Sequence, residues 1–215
     1  MKRGIAATLS AIGLAAVLLA GCRNDAKWHA TEISGAFPAL AFDMTRAQDG
    51  KEVTAAEYHG DIVMLYFGYT YCPDVCPTTL TNVAAALREI GVDAKHVRLL
   101  FVTVDPDRDS VEVLKSYTAA FAPEIDGLRG TPDALAALAR RYRVSYSVTP
   151  ESKDHAYEVT HSSAIFVFDG SGAVRLLVTS LATPKPDVDG TAADLRRLVA
   201  EAHRPGFLAR ILALI

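Results

Sequence analysis

The run Ile62-Val63-Met64-Leu65-Tyr66-Phe67 constrains this chain more than any other segment. Strand-forming apolar residues with no alternating polar position fit a strand covered on both faces, as at the centre of a parallel sheet. A loop follows, and then Leu80, Val83, Ala84, Leu87 and Ile90 recur at helical spacing, so the chain leaves this strand into a helix over 78–90. A second apolar strand over 97–104 ends in Asp105-Pro106-Asp107-Arg108-Asp109, and a helix over 111–121 follows with Asp109 or Ser110 as its N-cap. Thr131 and Pro132 open another helix, capping it and suiting its first turn, with Leu135, Leu138 and Ala139 on one face.

The remaining elements are shorter. Gln48-Asp49-Gly50-Lys51 is a turn signal between two short strands, the first read around Ala39–Phe42, giving an N-terminal hairpin. Alternation through Tyr157, Val159 and His161 predicts a strand edge. Segments 164–168 and 173–178 flank Asp169-Gly170-Ser171-Gly172 as a second hairpin, and a last helix covers 191–202. The order predicts one α/β domain built on a mixed central sheet flanked by helices. No internal repeat or second domain is visible in the 215 residues.

The ends of the chain carry separate signals. Lys2 and Arg3 precede an apolar run from Ile5 to Leu19, shorter than the roughly 20 residues of a comfortable membrane span. It closes on Leu19-Ala20-Gly21-Cys22, which resembles the lipobox of bacterial lipoproteins. That resemblance implies cleavage before Cys22 and lipidation of its sulfur; the alternative is an uncleaved N-terminal anchor. The expected organisation is a signal peptide over 1–21, a linker over 22–36, the folded domain over 37–203 and an apolar tail over 204–215. In that tail Phe207, Leu208, Ile211, Leu212 and Ile215 share one helical face, read as docking on the domain in preference to a membrane interface. The formal charge of −3 is spread without a basic stripe, so the chain lacks the electrostatic footprint of a nucleic-acid binder.

With Cys22 assigned to the anchor, Cys72 and Cys76 are the remaining thiols. A disulfide between them would close too small a loop to add much stability, given that a 15-residue loop is worth about 3 kcal/mol. They lie where a buried strand becomes a helix, and the N–H groups and dipole of a helix start favour thiolate. Redox enzymes of the thioredoxin type carry two residues between their cysteines, whereas Pro73, Asp74 and Val75 make three here. Both disulfide exchange and capture of one soft ion are open to such a pair. Structural zinc asks for four protein ligands and an iron–sulfur cluster for four thiolates, while Cu(I) accepts three. A third ligand then comes from among six histidines. His29, His59, His96 and His203 read as linker or surface residues, His155 lies in a polar loop, and His161 precedes a strand. Composition leaves that choice open.

Three segments together resemble the SCO/SenC family: Phe67-Gly68-Tyr69-Thr70-Tyr71-Cys72-Pro73-Asp74-Val75-Cys76-Pro77, Val104-Asp105-Pro106-Asp107-Arg108-Asp109, and Thr160-His161-Ser162. The resemblance implies a thioredoxin-like fold and copper, as Cu(I) or Cu(II), bound by Cys72, Cys76 and His161. It implies a role in assembling the dinuclear copper centre of cytochrome c oxidase, by copper delivery, thiol reduction or both. The implied partners are the oxidase's copper-accepting subunit, a membrane reached through the lipid anchor, and a periplasmic copper donor or thiol reductant. The implied location is the periplasmic face of a bacterial membrane, the inner one being favoured by the oxidase role although Arg23 carries no sorting signal for it. Asp105 matches an acidic family position that tunes the site without holding the ion; a turn carboxylate is the equal alternative. Thr160 stands where many members carry Asp before the histidine.

The runner-up function is a thiol–disulfide oxidoreductase using Cys72 and Cys76 to reduce the oxidase subunit's copper-ligand cysteines, with no need of His161. A peroxidase lacks a separate resolving cysteine here, and a copper buffer or sensor would bind without affecting oxidase assembly.

Overall fold

The computed structural model describes residues 27–153 and 156–203. In chain order the elements are β1 (Thr31–Glu32), β2 (Asp43–Arg46), β3 (Glu52–Thr54), β4 (Ile62–Gly68), α1 (Val75–Ile90), β5 (Val97–Thr103), α2 (Val111–Ala119), β6 (Ile125–Arg129), α3 (Pro132–Arg141), β7 (Tyr146–Thr149), β8 (Glu158–His161), β9 (Ile165–Phe168), β10 (Val174–Val178) and α4 (Val188–Ala202). Eight strands form one mixed sheet in the order β1-β10-β9-β4-β5-β6-β2-β3. The expected α/β architecture is present.

The apolar run forms β4, all seven of whose residues are buried. Burying one large apolar side chain contributes about 1.5–3 kcal/mol relative to exposure, so this strand anchors the core. It pairs in parallel with β5 and antiparallel with β9. Helix α1 packs along α4, and α2 lies against β6. Ser110, not Asp109, caps α2, accepting from the Val113 N–H at 3.3 Å. Thr131 caps α3 with Pro132 in the first turn, as its sequence predicts.

Three features depart from the sequence reading. Strand β6 is unannounced because Asp126 and Gly127 interrupt its apolar pattern. Tertiary contacts make both acceptable: Tyr58 Oη donates to Asp126 at 3.0 Å, and a Cβ at Gly127 would already be 3.2 Å from Ala47 and Leu114. The N-terminal hairpin is real, but its first strand begins at Asp43, after the apolar stretch 39–42. Its turn places Gly50 at φ 70°, which suits glycine.

The third departure corrects the linker. Part of segment 22–36 is an edge strand: β1 pairs with β10. The backbone N–H groups of His29 and Ala30 donate to the buried Asp194 carboxylate of α4 at 3.1 and 2.8 Å. Trp28 lies 3.8 Å from the Arg197 guanidinium. These partners sit far along the chain, so local composition reads as a spacer while the fold supplies acceptors. Residues 1–26, on which the expected signal peptide and Cys22 fall, together with His155 and the tail 204–215, lie outside the described residues. Among the described residues no helix is long and apolar enough to cross a membrane.

Candidate metal centre

The centre forms where β4 runs out. Gly68 closes the strand, and a Cβ there would lie 2.6 Å from the Phe101 ring and 3.0 Å from Cys76 Sγ. The loop after it is pinned by Asp109, which is fully buried. Its carboxylate accepts from the Thr70 N–H at 3.0 Å, Thr70 Oγ1 at 2.5 Å and Thr103 Oγ1 at 2.6 Å. One carboxylate thereby ties the cysteine loop to the end of β5.

Helix α1 starts at Val75, and its N-cap residue Asp74 makes no side-chain capping bond. Cys72 Sγ takes that place, accepting from the Cys76 N–H at 3.4 Å. The two sulfurs therefore differ. Partial burial opposes the Cys72 thiolate, but the N–H groups of Cys76 and Asp74 outweigh it and hold the thiol below its ordinary range. Cys76 is buried, and burial pushes it up to about 12, with the neighbouring Cys72 charge adding to the effect. Iodoacetamide at pH 8 is accordingly expected to alkylate Cys72 well before Cys76 in the metal-free, reduced protein. Peptide mass mapping at short times checks this; equal labelling would contradict the asymmetry.

His161 is the last residue of β8, and its Nε2 lies 3.3 Å from Cys76 Sγ. Its Nδ1 is 3.0 Å from the Ser162 carbonyl oxygen, which can only accept. Nδ1 must carry the proton, leaving the Nε2 lone pair turned toward the sulfurs, the tautomer a metal ligand needs. Burial also lowers the imidazole pKa, keeping it neutral. The Tyr66 and Tyr69 rings meet it edge-on at 6.1 and 5.7 Å.

Sγ of Cys72, Sγ of Cys76 and Nε2 of His161 all lie within 4.8 Å of one another. Metal bonds of about 2.0–2.3 Å in a trigonal arrangement would put ligand atoms about 4 Å apart, so small adjustments suffice. Among the described residues this is the one cluster of three or more such groups. His29 instead pairs with Asp187 at 3.5 Å, and His96 and His203 pack ring to ring at 4.1 Å.

A family model described as SCO1/SenC matches residues 34–200. The chain belongs to the SCO1/SenC family. The mouse mitochondrial protein SCO2 homolog is 34% identical over 156 residues, covering 72% of this chain and 60% of its own length. The chain thus spans less than two thirds of that SCO relative. A structure of Bradyrhizobium japonicum ScoI with copper bound is 36% identical with a TM-score of 0.65, covering 74% of this chain and 98% of that one. The solution structure of apo Sco1 from Thermus thermophilus is 31% identical with a TM-score of 0.71, covering 81% and 99%. The fold is the thioredoxin-like fold of Sco proteins.

Within this SCO1/SenC chain, several residues around the cluster were not legible as site residues. Tyr66 reads as core, yet its hydroxyl donates to Cys76 Sγ at 3.7 Å. Burial raises its pKa, so it stays a donor across the working pH range. Asp109 reads as a capping choice, and its only hint was its place as the third Asp of the Asp105-Pro106-Asp107-Arg108-Asp109 segment. Asp105 is also buried, but its carboxylate accepts from Tyr157 Oη at 2.7 Å and Arg108 Nε at 2.5 Å. Thr160, at the family's usual Asp position, bonds Ser147 through their hydroxyls at 2.8 Å.

Proposed function

We propose that this protein is a copper metallochaperone serving the dinuclear copper centre of cytochrome c oxidase, with Cys72, Cys76 and His161 holding the cargo. One observation carries the reading: two sulfurs and an imidazole nitrogen converge within 4.8 Å. Soft thiolates select Cu(I), and three ligands satisfy it. Such a site gives up its ion when an acceptor offers competing soft ligands, because the metal can gain an incoming ligand before losing an outgoing one. The recipient in this reading is the oxidase's copper-accepting subunit, reached from the periplasmic face of the inner membrane with Cys22 lipidated. A periplasmic copper donor or thiol reductant would act upstream. The copper-bound relative from Bradyrhizobium and the family's oxidase role support the cargo and its destination.

The asymmetry of the thiols favours a second reading, thiol–disulfide exchange. Cys72, half-buried and readily ionised, would attack a disulfide of the oxidase subunit, and Cys76 would resolve the mixed disulfide. The subunit's cysteines would leave as two thiols while Cys72 and Cys76 became a disulfide.

An anaerobic Cu(I) titration of the reduced protein against a competing chelator separates the two. The chaperone reading expects one tightly held copper and a loss of tenfold or more in His161→Ala, about 1.4 kcal/mol. Equal binding by the variant, or no binding by the wild type, leaves the oxidoreductase.

A further inference from the structure

His161 approaches the cysteines from outside the main sheet. Its strand, β8, pairs with β7, and these two form a separate two-stranded sheet. The register of the eight-stranded sheet therefore does not set the distance from imidazole to sulfur. Something else must hold the strand in place.

The contacts on β8 and the residue before it supply that hold. Tyr157, Val159 and His161 alternate along one extended segment, so their side chains share a face. At the His161 end the ring meets Tyr66 and Tyr69. In the middle, Tyr69 Oη reaches the Val159 carbonyl at a long 3.4 Å. At the far end Tyr157 Oη donates to Asp105 at 2.7 Å, and the Arg108 guanidinium lies 3.7 Å from the Tyr157 ring centre. Asp105 is itself fixed: it is 1% exposed, its N–H donates to Thr103 Oγ1 at 3.0 Å, and Arg108 bonds its other oxygen. It lies two residues beyond the end of β5, a buried strand of the core. At 2.7 Å the Tyr157–Asp105 bond is shorter than the 3.4 Å Tyr69–Val159 contact and the 3.3 Å approach of His161 to Cys76.

We propose that Asp105 and Tyr157 are positioning residues for His161, fastening its strand to the end of β5 so that the imidazole stays on the metal until an acceptor competes for it. This rests on the chaperone reading for its consequence, though not for the fastening itself. A hydroxyl donating to a buried carboxylate is a charge-assisted bond, stronger than a neutral pair. Its loss should free the strand without unfolding the core, because phenylalanine keeps the ring on Arg108.

The test is Tyr157→Phe in the full-length protein, alone and combined with His161→Ala. In the copper-free, reduced protein, amide hydrogen exchange of Val159 to Ser162 should quicken about tenfold, while the β4 and β5 amides stay as slow as in the wild type. Transfer of Cu(I) to a chelator should quicken by a similar factor, and the substitution should have no further effect once His161 is alanine. Unchanged amide exchange would overturn the fastening whether or not copper binds. Faster transfer by the same factor in both backgrounds would show that Tyr157 does not act through His161. A wild type that takes up no copper would sink the chaperone reading, and the amide measurement would still decide the fastening.

Discussion

Cys76→Ser is expected to cost at least about a hundredfold in Cu(I) affinity, roughly 2.8 kcal/mol, measured by competition with a chelator. A serine oxygen is a hard donor and a poor partner for a soft ion. The loss is larger than for His161→Ala because a soft thiolate is lost, one whose sulfur lies 3.3 Å from the imidazole and accepts from Tyr66 Oη. The same residue sets the pH dependence. With its thiol pushed up to about 12, Cys76 holds its proton across the neutral range, and copper must displace it. The bound form carries fewer protons, so raising the pH favours it. The apparent association constant should therefore climb about tenfold per pH unit for each proton released. His161 adds nothing to this slope above neutrality, since burial already keeps it unprotonated there. A flat profile between pH 7 and 8 would mean that Cys76 is ionised before copper arrives, or is not a ligand.

Asp109→Ala is expected to destabilise the domain by about 3–5 kcal/mol, measured by chemical denaturation. The substitution strands the Thr70 N–H and the hydroxyls of Thr70 and Thr103. Asp109→Asn retains acceptor capacity through its amide oxygen and should lose less. Copper affinity should fall alongside stability, because Thr70 stands two residues before Cys72 and orients its loop. A variant within about 1 kcal/mol of wild type would show that this carboxylate does not hold the loop. Arg129 gives the segment a second support, donating to the Pro106 and Asp109 carbonyls, so the β5–α2 connection should keep part of its shape even in the alanine variant.

The two buried carboxylates of the Asp105–Asp109 segment, on either side of exposed Asp107, show how far a linear reading reaches. Both lie in a motif, and both are buried, yet they serve different loops: Asp109 the cysteines, Asp105 the strand that ends in His161. Their spacing of four carries no sign of this division, because it depends on which way each side chain turns after β5 ends. Strand β6 escaped for a related reason. A half-apolar segment with Asp and Gly becomes a strand only once Tyr58, Ala47 and Leu114 are in place around it. Segment 28–33 reads as a spacer until Asp194 offers its carboxylate.

By itself the sequence determined the buried strand, the helix that leaves it, and the placing of both cysteines at their junction. These are local properties, set by apolar spacing and by where Gly68 and Pro77 stand. The family motifs also singled out His161 among six histidines. Only the tertiary structure decided that His161 Nε2 reaches Cys76 across 85 residues of chain. It also decided that one thiol caps a helix while the other is sealed beneath it. Those outcomes follow from long-range contacts such as the Tyr157–Asp105 bond beside β8 and from burial, which no short window of residues specifies.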